Sequence, residues 1–126
     1  MRAIDINVLV RLITRDDIRQ AQVADAFVSK GAWVSHLVLA ETTWVLSAVY
    51  GLSAQKIAVA VEMLLKHDTL TLQDPEVVTW ALAHFRKKAS LGFSDCLVVE
   101  IARKAGHLPV GTFDRDLSRV DGTEKL

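Results

Sequence analysis

The sequence predicts an α/β protein, a three-layer α/β/α domain with a central, mostly parallel sheet of four or five strands. Short apolar runs rich in strand-forming residues alternate along the chain with longer segments of helical periodicity, which is the pattern of parallel sheets covered by helices. The length of 126 residues suits one domain, residues 1–126, and a hydrophobic fraction of 51% is enough for a packed core.

The first half of the chain is expected to hold two strands and four helices. In chain order we expect a strand at 2–5, a helix from Asn7, a helix from Asp16 or Asp17 to Lys30, a strand at 32–35, and helices at 36–50 and 53–66. Gly31 and Gly51 follow two of these helices, where glycine commonly ends a helix.

The second half repeats the alternation of strand and helix. We expect a strand at 69–72, a helix opened by Asp74-Pro75-Glu76 and ending near Ala89, a helix from Phe93 or Ser94 to Gly106, a strand at 108–112, a short helix at 113–118 and an edge strand within 119–126. Pro75 at the first helical position supports the first of these long helices, and Gly106 just past the end supports the second.

Composition and charge exclude several classes of protein. The net charge is zero, which argues against a protein that holds nucleic acid by charge alone, unless bound cations supply positive charge. The single cysteine, Cys96, excludes an internal disulfide and a zinc site of paired cysteines. No apolar stretch reaches the roughly twenty residues of a membrane span, and the N-terminus carries Asp5 where a signal peptide is apolar. We therefore expect no membrane partner and a cytoplasmic location.

Two carboxylates interrupt the apolar faces of predicted helices. The neighbours of Glu41 at helical spacing are Leu37, Val38, Trp44 and Val45. Asp95 shares a predicted face with Val98, Val99 and Ala102, whereas the polar face of that helix is assigned to Glu100, Arg103 and Lys104. An interior ion pair for Glu41 and helix capping for Asp95 are the structural alternatives.

Two further carboxylates, Asp5 and Asp114, follow predicted strands. The carboxyl ends of parallel strands share one edge of the sheet, where ligands bind, and the following helices begin at that edge. Asp5, Glu41, Asp95 and Asp114, hereafter the four candidate carboxylates, are thus expected together, although a turn or cap would also explain Asp5 and Asp114. Burying ionised carboxylates side by side is costly, and a hard divalent ion, Mg²⁺ or Mn²⁺, is the simplest compensation.

The segments around these acids resemble the PIN-domain family. They are residues 4–10, with an aspartate, one residue and an asparagine; 35–41, with a strand-end serine and a helical glutamate; 93–97; and 111–117. Each segment alone is a weak signal, whereas all four in order over most of the chain are specific. The size and the helical insert between the second and third segments look most similar to the VapC toxins of bacterial toxin–antitoxin pairs.

The resemblance implies a Mg²⁺- or Mn²⁺-dependent endoribonuclease that leaves a 5′-phosphate and a 3′-hydroxyl, with the four candidate carboxylates as catalytic metal ligands. Asp116 follows Asp114 by two residues and is the alternative or an auxiliary ligand. The resemblance also implies a homodimer and inhibition by a VapB-type antitoxin. It leaves the RNA target open, with tRNA and other structured RNA among the candidates, as well as the choice between one metal ion and two.

Other residues are assigned from their positions in the sequence. Asn7, Ser94 and Thr112 lie beside the acids and are expected to orient them or a water, with turn hydrogen bonds and capping as alternatives. Cys96 is interpreted as a core residue rather than a nucleophile. The remaining assignments are core or interface positions for Trp33, Trp44 and Trp80, with stacking on RNA as the alternative, and a solvated or phosphate-binding helix end for Arg86-Lys87-Lys88.

Two other classes of function remain as alternatives. A response-regulator receiver domain has a similar size and an acidic Mg²⁺ pocket, but it needs an aspartate ending the third strand and a lysine after a later one. The predicted third strand, 69–72, contains no aspartate, and no lysine closely follows residues 109–112. The second alternative is a PIN-like module without catalytic activity that only binds a protein partner.

Overall fold

Helices make up most of the chain and flank short parallel strands in the computed structural model, which describes residues 1–88 and 90–126. In chain order the elements are β1 Arg2–Ala3, α1 Ile6–Thr14, α2 Ile18–Val28, β2 Ala32–Val34, α3 His36–Ala48, α4 Ala54–Lys66, β3 Leu70–Leu72, α5 Pro75–Lys87, α6 Phe93–Ala105, β4 Val110–Thr112, a 3₁₀ turn Leu117–Arg119 and β5 Thr123–Lys125. The predicted end of the fifth helix at Ala89 lies outside the described residues.

Every strand pairing in the described residues is parallel, which confirms the predicted α/β/α class. The first three strands form one sheet in the order β1-β2-β3, with Ala32 opposite Leu70, and β4 pairs with β5. The five strands thus form a group of three and a group of two rather than one continuous ladder. β1 lies at the edge of its sheet and is only two residues long, which leaves little backbone for pairing with a fourth strand.

Side-chain caps fix where several helices begin. Asp5, Asp17, Ser35 and Ser53 each accept a hydrogen bond from the backbone N–H three residues ahead. The predicted helix starts at Asp16 or Asp17 and at residue 53 are therefore confirmed, with Asp17 and Ser53 as the caps. At the other end of α6, Gly106 has φ of 83°, a left-handed conformation that favours glycine and ends the helix as predicted.

The core lies where the helices meet the buried side of the sheet. Its fully buried side chains include Leu9 of α1, Leu39 and Leu46 of α3, and Leu97 of α6. The side chains of Val34 and Leu72 point into this core, whereas the middle residue of each of these two strands points outward. α6 packs against both α3 and α5.

Two expectations of burial differ from the structure. Trp33, Trp44 and Trp80 are 37%, 62% and 46% exposed, so they are not core residues, whereas their assignments to an interface or to stacking on RNA stay predictions. Glu100 is 2% exposed rather than on the polar face of α6, and the partly exposed side chains of His84 and Arg103 pair with its carboxylate. Among the described helices, none combines the length and the apolar character needed to cross a membrane.

Candidate active site

Asp5 and Ser35 occupy equivalent positions at the carboxyl edge of the three-stranded sheet. β1 and β2 run in parallel with Ala3 opposite Trp33, and the Ile4 N–H donates to the Trp33 carbonyl at 3.1 Å. The next residue of each strand region caps a helix: Asp5 Oδ1 accepts from the Val8 N–H at 3.1 Å, and Ser35 Oγ does the same at the start of α3. This capping role for Asp5 is the one named as its structural alternative.

Glu41 faces the beginning of α6 across a shallow cleft. The cleft has a volume of about 280 Å³ and is lined by Ala40, Glu41, Trp44 and Ser94. Ser94 immediately precedes Asp95, so the packing of α3 on α6 brings the neighbourhood of Asp95 to the side chain of Glu41. These two carboxylates come from helices far apart in the sequence.

Asp95 is the third residue of α6, where its carboxylate lies against the backbone of Gly92. Partial burial raises the pKa of Asp95 above its usual value, and the negative charge of Asp114 raises this pKa further. The Gly92 backbone lowers the pKa of Asp95, but this effect is the smallest of the three. Asp95 and Asp114 are therefore close enough to repel one another.

Asp114 is held by backbone hydrogen bonds in the loop after β4. Its Oδ1 accepts from the Asp116 N–H at 2.8 Å and from the Leu117 N–H at 3.1 Å. Thr112 Oγ1 in turn accepts from the Asp114 N–H at 3.0 Å, so Thr112 helps to fix the loop that carries this acid. Asp116 is half-buried and makes no side-chain capping bond to the 3₁₀ turn.

Asn7 lies close to Asp5, as the second residue of α1. Both residues line a cleft of about 600 Å³ between α1 and α2, together with Arg11, Arg19 and Phe27. Asn7 is exposed. The structure therefore places Asn7 beside Asp5, and Ser94 and Thr112 beside Asp95 and Asp114.

The premise that the four candidate carboxylates are buried is wrong. Asp5, Glu41 and Asp114 are exposed and Asp95 is only half-buried. Asp5 and Asp95 lie at helix starts, Asp114 lies in a loop, and Glu41 lies on the solvent-facing side of α3. The apolar stripe around Glu41 faces outward as well, since Leu37 is 70% exposed. In the described residues, no three acidic, histidine or cysteine side chains are close enough together to hold a metal ion.

The chemistry of these donors nevertheless fits a hard divalent cation. All four are carboxylates, and oxygen ligands are those that Mg²⁺ and Mn²⁺ prefer. Asp114 repels Asp95, and no cationic side chain among the described residues offsets this effect on the pKa of Asp95. A divalent cation between them would supply the missing positive charge, with Glu41 on the adjoining wall.

Comparison with known families agrees with this arrangement. The sequence matches the family described as PIN domain over residues 3–123, so the chain belongs to the PIN domain family. PIN domains are generally nuclease domains that use divalent metals such as Mg²⁺, and membership of the family suggests RNA binding. No curated protein sequence matches the chain at a significant level.

A buried ionic network around Glu100 was not predicted from the sequence. Glu100 Oε1 lies 2.7 Å from His84 Nε2, and Arg103 Nε donates to Glu100 Oε2 at 2.9 Å. The signal was the helical spacing, because Glu100 follows Cys96 by four residues and Leu97 by three, which places it on their buried face. The network joins α5 to α6 and includes none of the four candidate carboxylates, so we assign it a structural role.

Proposed function

We propose that this PIN domain is a Mg²⁺- or Mn²⁺-dependent endoribonuclease that hydrolyses RNA phosphodiester bonds and uses the four candidate carboxylates. The observation that carries the proposal is that acids come from separate elements: Glu41 of α3 lines a cleft with Ser94, the neighbour of Asp95 in α6, and the charge of Asp114, in the loop after β4, raises the pKa of Asp95. Carboxylates that repel one another and so perturb one another's pKa are typical of functional sites. Family membership and the oxygen donor set support the same conclusion.

Each residue then has a role that follows from its position. A bound divalent ion supplies positive charge that offsets the phosphate and makes water a better nucleophile. Asp95 and Glu41 would hold this ion from two helices, and Asp114 would approach it with the oxygen that its backbone hydrogen bonds leave free. Thr112 keeps the Asp114 loop in place. Asp5 uses Oδ1 to cap α1 and would offer its other carboxylate oxygen to the ion.

The first experiment tests metal-dependent cleavage directly. Purified protein is incubated with total RNA in Mg²⁺, in Mn²⁺ and in EDTA, and compared with Asp5→Asn and Asp95→Asn. We expect cleavage only with metal, and a loss of at least about a hundredfold in each variant. The matched control is Asp68→Asn, an exposed aspartate before β3 at the opposite edge of the sheet, which should cut at the wild-type rate. Cleavage that survives both site substitutions would refute the assignment.

We further propose that the protein acts as the toxin of a type II toxin–antitoxin pair, as a homodimer bound by a VapB-type antitoxin. The similarity of its four motifs and of its helical insert to VapC toxins supports this role. Met63, an exposed apolar residue on α4, offers surface for protein contacts. Induced expression should arrest growth, and Asp95→Asn should abolish the arrest, while light scattering measures the oligomer. Arrest that persists in Asp95→Asn would contradict a nuclease toxin.

A catalytically inactive binding module is the second candidate function. It is favoured by the absence, in residues 1–88 and 90–126, of three potential ligands within reach of one metal ion. Titration with Mn²⁺ separates the two candidates by a readout other than cleavage. Binding that raises the melting temperature of the wild type but not of Asp95→Asn supports the enzyme, whereas no binding together with no cleavage supports the module.

A further inference from the structure

Three adjoining clefts lead away from the candidate carboxylates across the surface of the helices. The cleft that contains Glu41 shares Trp44 and Ser94 with a second cleft of about 230 Å³. The second cleft shares Ala54 and Phe85 with a third, of about 650 Å³. We name this continuous surface, from Glu41 through Trp44 to the third cleft, the Trp44 trough.

An exposed indole separates the first two clefts of the trough. Trp44 is 62% exposed, although tryptophan is one of the most costly side chains to leave in water. It follows Glu41 by three residues on α3, so the indole lies one helical turn from a candidate metal ligand. Behind it, Phe85 and Phe93 pack edge to face with ring centres 5.8 Å apart, which gives the second cleft a rigid apolar wall.

The far end of the trough is bordered by cationic side chains. Lys56 and Arg86 line the third cleft. Lys56 forms no ion pair with any described residue, and Arg86 pairs with Glu62 at 2.8 Å. Both members of that pair are more than a third exposed, so the pair contributes little to stability and can be exchanged for a phosphate. Lys56, and Arg86 once released from Glu62, would thus supply cationic groups at this end of the trough.

We infer that the Trp44 trough is the path of single-stranded RNA, with an unpaired base stacked on Trp44 next to the bond that is cleaved and backbone phosphates held by Lys56 and Arg86. An accessible indole suits unpaired bases, because the bases of a duplex are stacked on one another. The position of the cleaved bond rests on the proposed function. The binding of the strand does not, because stacking and phosphate contacts need no catalysis.

The first test measures binding without cleavage. A labelled, unstructured oligoribonucleotide is titrated in EDTA with the wild type, Trp44→Ala and Trp44→Phe. Loss of one stacked base should weaken binding roughly tenfold in Trp44→Ala, and Trp44→Phe should retain most of the affinity. The matched control is Trp80→Ala, which removes another half-exposed tryptophan that lines none of these clefts and should bind normally. The same oligonucleotide annealed to its complement should bind more weakly.

The second test measures phosphate contacts through salt. For single strands, each phosphate contact contributes about 0.7 to the slope of log affinity against log salt concentration. Lys56→Gln and Arg86→Gln should each reduce the slope by about this amount. Lys30→Gln, which removes an exposed lysine at the opposite edge of the sheet, should leave the slope unchanged.

The outcomes distinguish this inference from the proposed nuclease activity. RNA binding that depends on Trp44 in a protein that never cleaves would uphold the trough and refute the enzyme. Cleavage with Mg²⁺ and unchanged binding in Trp44→Ala would uphold the enzyme and refute the trough. Equal affinity for the single strand and the duplex would also refute the trough as an RNA path. An unchanged salt slope in both Lys56→Gln and Arg86→Gln would refute it as well. The trough would then be reassigned to a protein partner.

Discussion

Glu100 and His84 meet across the packed helices α5 and α6, with 2.7 Å between Glu100 Oε1 and His84 Nε2. The Glu100 side chain is 2% exposed, whereas His84 is 30% exposed. The second carboxylate oxygen accepts from Arg103, and another nitrogen of Arg103 donates to the Asp121 carbonyl at 2.7 Å. One buried carboxylate thus connects two helices to the segment that leads into β5.

Glu100→Ala should lower the free energy of unfolding by about 2 kcal/mol, because it leaves a cavity and removes the partner of two donors that are only partly exposed. Glu100→Gln keeps the volume and one acceptor, and should lose less. Urea denaturation measures both. Equal stability of all three proteins would show that the network contributes nothing to the fold.

Asp95→Asn should stabilise the protein at neutral pH. Because the folded state raises the pKa of Asp95 above its usual 3.8, the fold favours the protonated carboxyl, and this contribution is lost as the pH rises through the raised pKa. At pH 7 the ionised carboxylate opposes folding through desolvation and repulsion by Asp114, and asparagine removes both effects. The melting temperature should therefore rise at pH 7 and differ little near pH 3. A lower melting temperature at pH 7 would contradict this electrostatic account.

Cys96 should be unreactive in the native protein. Burial, followed by the charges of Asp95 and Glu100, raises the pKa of its thiol from 9.0 to about 11. Iodoacetamide at pH 8 should therefore modify Cys96 in urea but not in buffer, since the thiol is 0% exposed and a shift of this size lowers the thiolate fraction about a hundredfold. The same shift predicts that stability falls between about pH 9 and 11, and Cys96→Ala should lack this loss. Rapid native modification would refute the assignment to the core.

The elements of the fold could be predicted because their boundaries are set by local chemistry. Asp17 and Ser53 begin helices by binding a nearby backbone N–H, and Gly106 ends one with a left-handed backbone, so the necessary information lies within a few residues. The separation of β4 and β5 from the other strands could not be predicted, because it depends on tertiary packing around a β1 that is only two residues long.

Burial was harder to predict than position for the candidate site. The apolar neighbours of Glu41 suggested an interior face, but α3 is apolar around most of its circumference, so its outward side also carries apolar residues such as Leu37 and Trp44. Periodicity cannot show which side of such a helix faces solvent. For Glu100 the reverse holds, because His84, its partner on another helix, makes burial of a charge tolerable.

The choice between Asp114 and Asp116 as the fourth ligand can be tested by metal binding. The charge of Asp114 raises the pKa of Asp95, so Asp114 acts on another candidate ligand. Asp114→Asn should therefore reduce the rise in melting temperature that Mn²⁺ produces and should reduce cleavage about a hundredfold. Asp116→Asn should keep most of the Mn²⁺ response and most of the cleavage. Asp116 supports Asp114 through its backbone N–H, and the substitution leaves this group in place. Both variants should keep the circular dichroism spectrum of the wild type. If Asp116→Asn loses the Mn²⁺ response and Asp114→Asn retains it, the ligand is Asp116 and Asp114 serves as the cap of the loop.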